Sequence, residues 1–205
     1  MSYLEMNNNR VSLTGEIVDE PIFSHEIMGE GFYDVLLAVR RLSGQNDVVP
    51  LTVSERIMQG NDFKTGNLIG VIGQLRSYNK LIGDRSKLVL KVFVRELCTP
   101  DLNVPNKIEL IGFVCKPPIY RTTPFDREIA DLLVAVNRAY NKSDYIPVIA
   151  WGRNARYAGS FTVGEKINID GRIQSRIYQK QLENGMVEDR TAYEVSVTNL
   201  EILNE

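Results

Sequence analysis

The chain repeats itself, and the repeat constrains its fold more than any total does. Asn9-Arg10-Val11-Ser12-Leu13-Thr14-Gly15 aligns with Asn106-Lys107-Ile108-Glu109-Leu110-Ile111-Gly112 at a shift of 97 residues. The same shift pairs Pro21-Ile22-Phe23 with Pro118-Ile119-Tyr120, and it pairs Asp47 and Pro50 with Asp144 and Pro147. A shift of 98 aligns Phe63, Gly66, Gly73 and Ser77 with Phe161, Gly164, Gly171 and Ser175. The last strands, around Val92-Phe93-Val94 and Val195-Ser196-Val197, align after a longer loop in the second copy. A register that holds over most of 205 residues predicts two copies of one unit. The first domain is placed at 1–99 and the second at 104–205. The seam, Thr99-Pro100-Asp101-Leu102-Asn103-Val104-Pro105, is short, polar and proline-bearing, so the copies cannot wander far apart.

Within each copy the pattern has period two. Val11, Leu13 and Ile17 alternate with Ser12, Thr14 and Glu16, and Ile167, Ile169 and Ile173 alternate with Asn168, Asp170 and Arg172. Apolar β-branched residues at that spacing predict half-buried strands. Gly15 and Gly112 fall inside the first strand of each copy, and Gly73 and Gly171 inside a later one. Glycine inside a strand marks a bulge or a sharp bend, as the corners of a small closed barrel require. A short helix is expected near Glu55 to Asp62 and again near Asn154 to Ser160. The expected fold is all-β: two tandem five-stranded Greek-key barrels, each with one short helix. An immunoglobulin-type sandwich would want about seven strands and no helix.

The totals exclude several functions. The chain is 43% hydrophobic, enough to bury a core in either one domain or two. The net charge is −2, so an anionic partner must meet a local basic face and not the whole surface. Cys98 and Cys115, one per copy, match no metal motif and no disulfide framework, which fits reduced thiols in a cytoplasm. Met1 to Arg10 lacks a signal peptide's apolar core, and no apolar run approaches the roughly 20 residues that span a membrane. His25 is the only histidine, so general-base or metal arrangements needing several are ruled out. Gly29-Glu30-Gly31 is too short to cradle a phosphate. No catalytic activity, cofactor, metal or small-molecule substrate is expected.

The second copy resembles the bacterial single-stranded DNA-binding protein family over about residues 106–203. The resemblance is carried in order by Asn106 to Gly112, Leu133-Val134-Ala135-Val136-Asn137-Arg138, Ile146 to Arg153, Gly164 to Arg176 and Tyr193 to Val197. It implies an OB-fold barrel that holds a single strand without reading its sequence. Bases would stack on aromatic rings for about 1–3 kcal/mol each, and cations would meet the phosphates. The family's stacking positions fall on Tyr140, Tyr145, Trp151 and Tyr178, with Arg138, Arg153, Arg172, Arg176 and Lys180 among the cations beside them. A lone tryptophan is ordinarily a core residue. Both faces of Ile146 to Trp151 are rather apolar, so periodicity leaves either role open, and the family position favours stacking. Arg172 and Arg176 alternate with Ile173 and Ile177, which fits a binding face or a solvated one. Tyr178 sits on a hairpin arm with a turn expected near Asn184-Gly185, as a stacking group or as a cross-strand partner.

In the first copy the same positions read Ser43, Val48, Ser54 and Lys80. It keeps the framework and loses every family stacking position. Arg40, Arg41, Arg76, Tyr78, Lys80 and Arg85 leave weaker contacts possible, chiefly through Arg41, Arg76, Tyr78 and Lys80. The expectation is that the second barrel binds strongly and the first adds weak contacts or assembly. The family commonly assembles four barrels, so a homodimer of this chain is expected. The family's acidic tail is not seen after Leu200 to Glu205, which points to an accessory or specialised protein. The rival reading is a protein-interaction or primosome-type module with little DNA affinity. It is favoured by the acidic balance and the altered first copy.

Overall fold

The computed structural model describes residues 7–83, 85–181 and 185–203, with the backbone but not the side chains of Ile82 and Arg85. The expected turn near Asn184 lies outside them. The first copy holds β1 (Asn9–Ile17), β2 (Ile22–Ile27), β3 (Glu30–Arg40), β4 (Asn46–Ser54), α1 (Glu55–Met58), β5 (Leu68–Ile82) and β6 (Arg85–Cys98). The second holds β7 (Asn106–Val114), β8 (Ile119–Thr122), β9 (Glu128–Arg138), β10 (Lys142–Trp151), α2 (Arg153–Ala158), β11 (Lys166–Gln181) and β12 (Val187–Ile202).

Five strands of each copy close a barrel. β1 pairs with β3 and β5, β3 with β4, β4 in parallel with β6, and β6 with β5. The second copy repeats every link through β7, β9, β10, β12 and β11. The sixth strand, β2 or β8, pairs only with β3 or β9. Its residues are exposed throughout, so it carries no alternation for the sequence to reveal. Both helices start within a residue of their expected positions. Ala155 and Ala158 of α2 are buried. The alternating apolar residues face inward, with Leu13, Leu37 and Leu51 fully buried in one barrel and Ile108, Ile146 and Ile169 in the other. Each such side chain contributes about 1.5–3 kcal/mol.

The glycines inside strands are positions of close approach. The β11–β12 register slips between Asp170 and Gly171, and a Cβ on Gly171 would lie 2.4 Å from the Ser196 carbonyl oxygen. Gly73 stands at the matching slip in β5–β6. Both are bulges that bend the long strands around the barrel.

The barrels join through β1 and β7, antiparallel, with Asn9 opposite Leu110 and Leu13 opposite Asn106. Val11 and Ile108, equivalent residues of the two copies, face each other at the centre of this register. A local twofold therefore passes between them. Two clasps obey it. Asp47, fully buried, accepts from the Ser175 amide at 2.6 Å and hydroxyl at 3.0 Å, and from Arg41 Nε at 2.7 Å. Asp144, also fully buried, accepts from the Ser77 amide at 2.6 Å and from Arg76 at 3.2 Å. Arg138 Nε lies 3.4 Å from Asp144, close enough for ion pairing but not aligned as a hydrogen bond. Each carboxylate thus fastens one barrel to the β-strand of the other.

Candidate nucleic-acid interface

β10 sorts its side chains by parity. Ile146, Val148 and Ala150 point into the barrel, and Tyr145 and Trp151 point out. Trp151 is 39% exposed, which removes the core reading of the lone tryptophan. It stands in a groove of about 880 Å³ whose apolar floor includes Ile129 and Ile149. Arg121, Arg172 and Arg176 of the second barrel line the same groove. So do Arg41, Gln45 and Asn46, which the first barrel extends across the seam on its β3–β4 turn. The groove belongs to both copies.

Its cations differ in how firmly they are held. Arg41 is bound to Asp47 and also donates to the Ser175 carbonyl at 2.8 Å. That hydrogen bond to Asp47 holds the Arg41 guanidinium above its ordinary pKa. Arg121 donates twice to Asp131, at 2.8 and 3.0 Å. Arg176 is 57% exposed and meets Glu194 only at 3.8 Å, while Gln174 holds Glu194 at 2.7 Å. Arg172 reaches Gln174 at 3.5 Å. Arg172 and Arg176 are therefore the cations best placed to turn toward an anion. An exposed indole on an apolar floor, rimmed by guanidiniums, suits a ligand that carries flat rings and repeated negative charges.

The four family aromatic positions are not brought to one place. Trp151 occupies the groove just described. Tyr145 is 49% exposed, and its amide donates to Ser77 Oγ at 2.7 Å beside the seam. Tyr178, 37% exposed, lies opposite Arg190 in the β11–β12 arm. It lines a cleft of about 960 Å³ between the arms of the two barrels, together with Lys180, Pro50 and Pro147. Tyr140 sits in the β9–β10 turn at φ 60° and reaches over the first barrel, away from Trp151. Arg138 is taken up by the Asp144 clasp. Arg153 opens α2, exposed, and lines none of these hollows. In the first copy Arg41 and Arg76 are clasp residues, Lys80 is exposed on the β5–β6 arm, and Tyr78 is 45% exposed beneath Lys91, whose Nζ is 5.9 Å from the ring centre.

Two things were hidden from the sequence. Arg121 lies on β8, the strand without a pattern. The exchange of turns across the seam follows from the twofold, which a linear register does not show.

Residues 105–203 match the model of the single-strand binding protein family. The chain is 38% identical over 82 residues to single-stranded DNA-binding protein 2 of Streptococcus agalactiae serotype V, covering 37% of this chain and 63% of that one. It is 34% identical over 83 residues to single-stranded DNA-binding protein 1 of Staphylococcus aureus strain COL, covering 37% and 50%. The chain thus spans between half and two thirds of these relatives' own length. The wild-type single-stranded DNA binding protein of Thermus aquaticus superposes with a TM-score of 0.72 at 23% identity, covering 96% of this chain and 93% of that one. That likeness shows the shared fold, two tandem OB-type barrels in one chain. The second barrel, residues 105–203, is thus the part of this chain that is similar to the single-strand binding protein family.

Proposed function

We propose that the chain holds single-stranded DNA without reading its sequence, in replication, recombination or repair, and that the Trp151 groove is its principal contact. The observation that carries this is the half-exposed Trp151 ring, set between Arg172, Arg176 and the first barrel's Arg41 on the domain that matches the family. A base stacks on the indole, and the phosphates on either side displace the long contacts that Arg172 and Arg176 now make. Tyr178 and Lys180 extend the surface along the arm, and Tyr145 lies about 20 Å from Trp151 along the same face of β10. The chain's role is binding and not catalysis, and its half-buried thiols suit the cytoplasm. Among the described residues no helix is long and apolar enough to cross a membrane.

Anisotropy of labelled oligo-dT tests the reading. Affinity should fall steeply between about 50 and 200 mM salt as phosphate contacts are lost. Trp151→Ala should weaken binding by about tenfold or more. An affinity indifferent to both changes would overturn it. Two barrels per chain further suggest a homodimer, a four-barrel assembly. Sedimentation at micromolar concentration should give twice the chain mass, and a monomer there would contradict this part.

A further inference from the structure

The first barrel lost the family's stacking positions, but its outer face is not bare. The local twofold that sends Arg41 into the Trp151 groove also sends Arg138, Tyr140 and Lys142 over the first barrel. There they enclose a hollow of about 490 Å³ with Tyr78, Phe93 and His25. We propose that this face, around Phe93 with Tyr140 lent by the second barrel, is a second stacking site for the same single strand. The inference rests on the function proposed above and adds a stacking site on the barrel whose own family stacking positions are all non-aromatic.

Strand pairing shows how the two grooves correspond. Phe93 lies opposite Gln74 as Ser196 lies opposite Arg172, so Phe93 replaces Ser196. By the same register Tyr78 replaces Arg176, and Lys91 replaces Glu194. His25 pairs with Phe32 as Arg121 pairs with Ile129. The aromatic surface has moved from the end of β10 to β5, β6 and β2. It is also braced. His25 stacks on Phe32 at 5.1 Å and 11°, and Phe32 meets Phe93 at 5.9 Å. Phe32 is buried, so it backs the two more exposed rings and fixes their planes.

The charge has moved with the rings. Arg76, Lys91, Arg95, Arg138 and Lys142 line this hollow, and among the described residues no carboxylate does. In the Trp151 groove Glu194 is part of the lining. Lys91 is paired with Asp34 at 2.6 Å, and Asp144 serves both Arg76 and Arg138. Arg95 Cζ stands 5.7 Å from the Phe93 ring centre and donates to Gln74 at 3.1 Å. Burial holds Arg76 below its ordinary pKa, and the nearby Arg138 and Arg95 lower it further, against the pull of Asp144. A chain of net charge −2 has thus gathered five cations on one aromatic face, against the two carboxylates, Asp34 and Asp144, that pair with three of them. Rings that stack on any base, under cations that meet any phosphate, match a single strand.

The chain carries one histidine and one tryptophan, and each lies in a different groove. The full-length protein can be titrated with a short oligo-dT while the His25 ring proton is followed by NMR and Trp151 by fluorescence. Both signals should move, with about two short oligonucleotides bound per chain. Arg95→Glu with Tyr140→Ser should abolish the His25 shift, leave Trp151 quenching by the short oligonucleotide in place, and weaken long oligo-dT about tenfold or more. Both changed side chains are on the surface or in a turn, and circular dichroism of the variant should match the parent. Trp151 quenching with no His25 shift, and one oligonucleotide per chain, would overturn the second site and leave the first standing. Silence at both residues would overturn the underlying function as well.

Discussion

Asp47 and Asp144 are equivalent in sequence and almost equivalent in space, yet their surroundings push their carboxyls in opposite directions. Burial alone would raise both. At Asp47 the Arg41 guanidinium and the two Ser175 donors outweigh burial, so its pKa lies below the ordinary carboxylate value. At Asp144 burial prevails over Ser77, Arg138 and Arg76, and the pKa is raised. The Asp47 contribution to stability is therefore in place above the unfolded value, about 3.9, and is lost as pH falls through the lower folded value. The Asp144 contribution runs the other way, present below about 3.9 and lost as pH rises through its folded value. At pH 7 Asp47→Asn should destabilise toward the lower end of about 3–5 kcal/mol, because Arg41 keeps some exposure and the Ser175 carbonyl as partner. The gap to the parent should close on acidification below about pH 4. Asp144→Asn should cost less than Asp47→Asn at pH 7. Urea denaturation at several pH values reads all three outcomes, and an equal or larger loss at Asp144 would contradict the assignment.

At the scale of the element, the barrel strands were legible because one face is buried. Val11, Leu13 and Ile17 had to alternate, and the in-strand glycines had to mark the bends. Gly171→Ala should cost about 1–3 kcal/mol, since its Cβ would meet the Ser196 carbonyl across the bulge. A shift in denaturation midpoint at constant slope checks it. β2 and β8 were illegible because solvent covers both their faces, and with β8 went Arg121. The site was legible in part for the same kind of reason. Trp151, Arg172 and Arg176 are local to their own barrel, and they line one groove. Tyr140 and Arg138 were assigned to the barrel that encodes them, because sequence gives a turn's parent strands but not the neighbour it leans on. Of the first barrel's rings Tyr78 was expected to make contacts, whereas Phe93 and His25 stand where the second copy has Ser196 and Arg121, so the repeat offers no ring there to inherit.

The whole molecule is one object more than two. β1 and β7 share a ladder, both clasps cross the seam, and the buried apolar side chains of both copies form one contiguous cluster. Thermal unfolding should accordingly be a single transition whose calorimetric and van't Hoff enthalpies agree, and two resolved transitions would show the barrels to be independent. The same unity shapes binding, since each groove is walled by a turn from the other copy. The proposed function turns on Trp151 stacking on the bases of a single strand. Its most direct measurement is Trp151 fluorescence during titration with oligo-dT at low and at high salt. Quenching should saturate at low salt, and the apparent affinity should be weaker at high salt. An unchanged emission at low salt, from a folded protein, would contradict it.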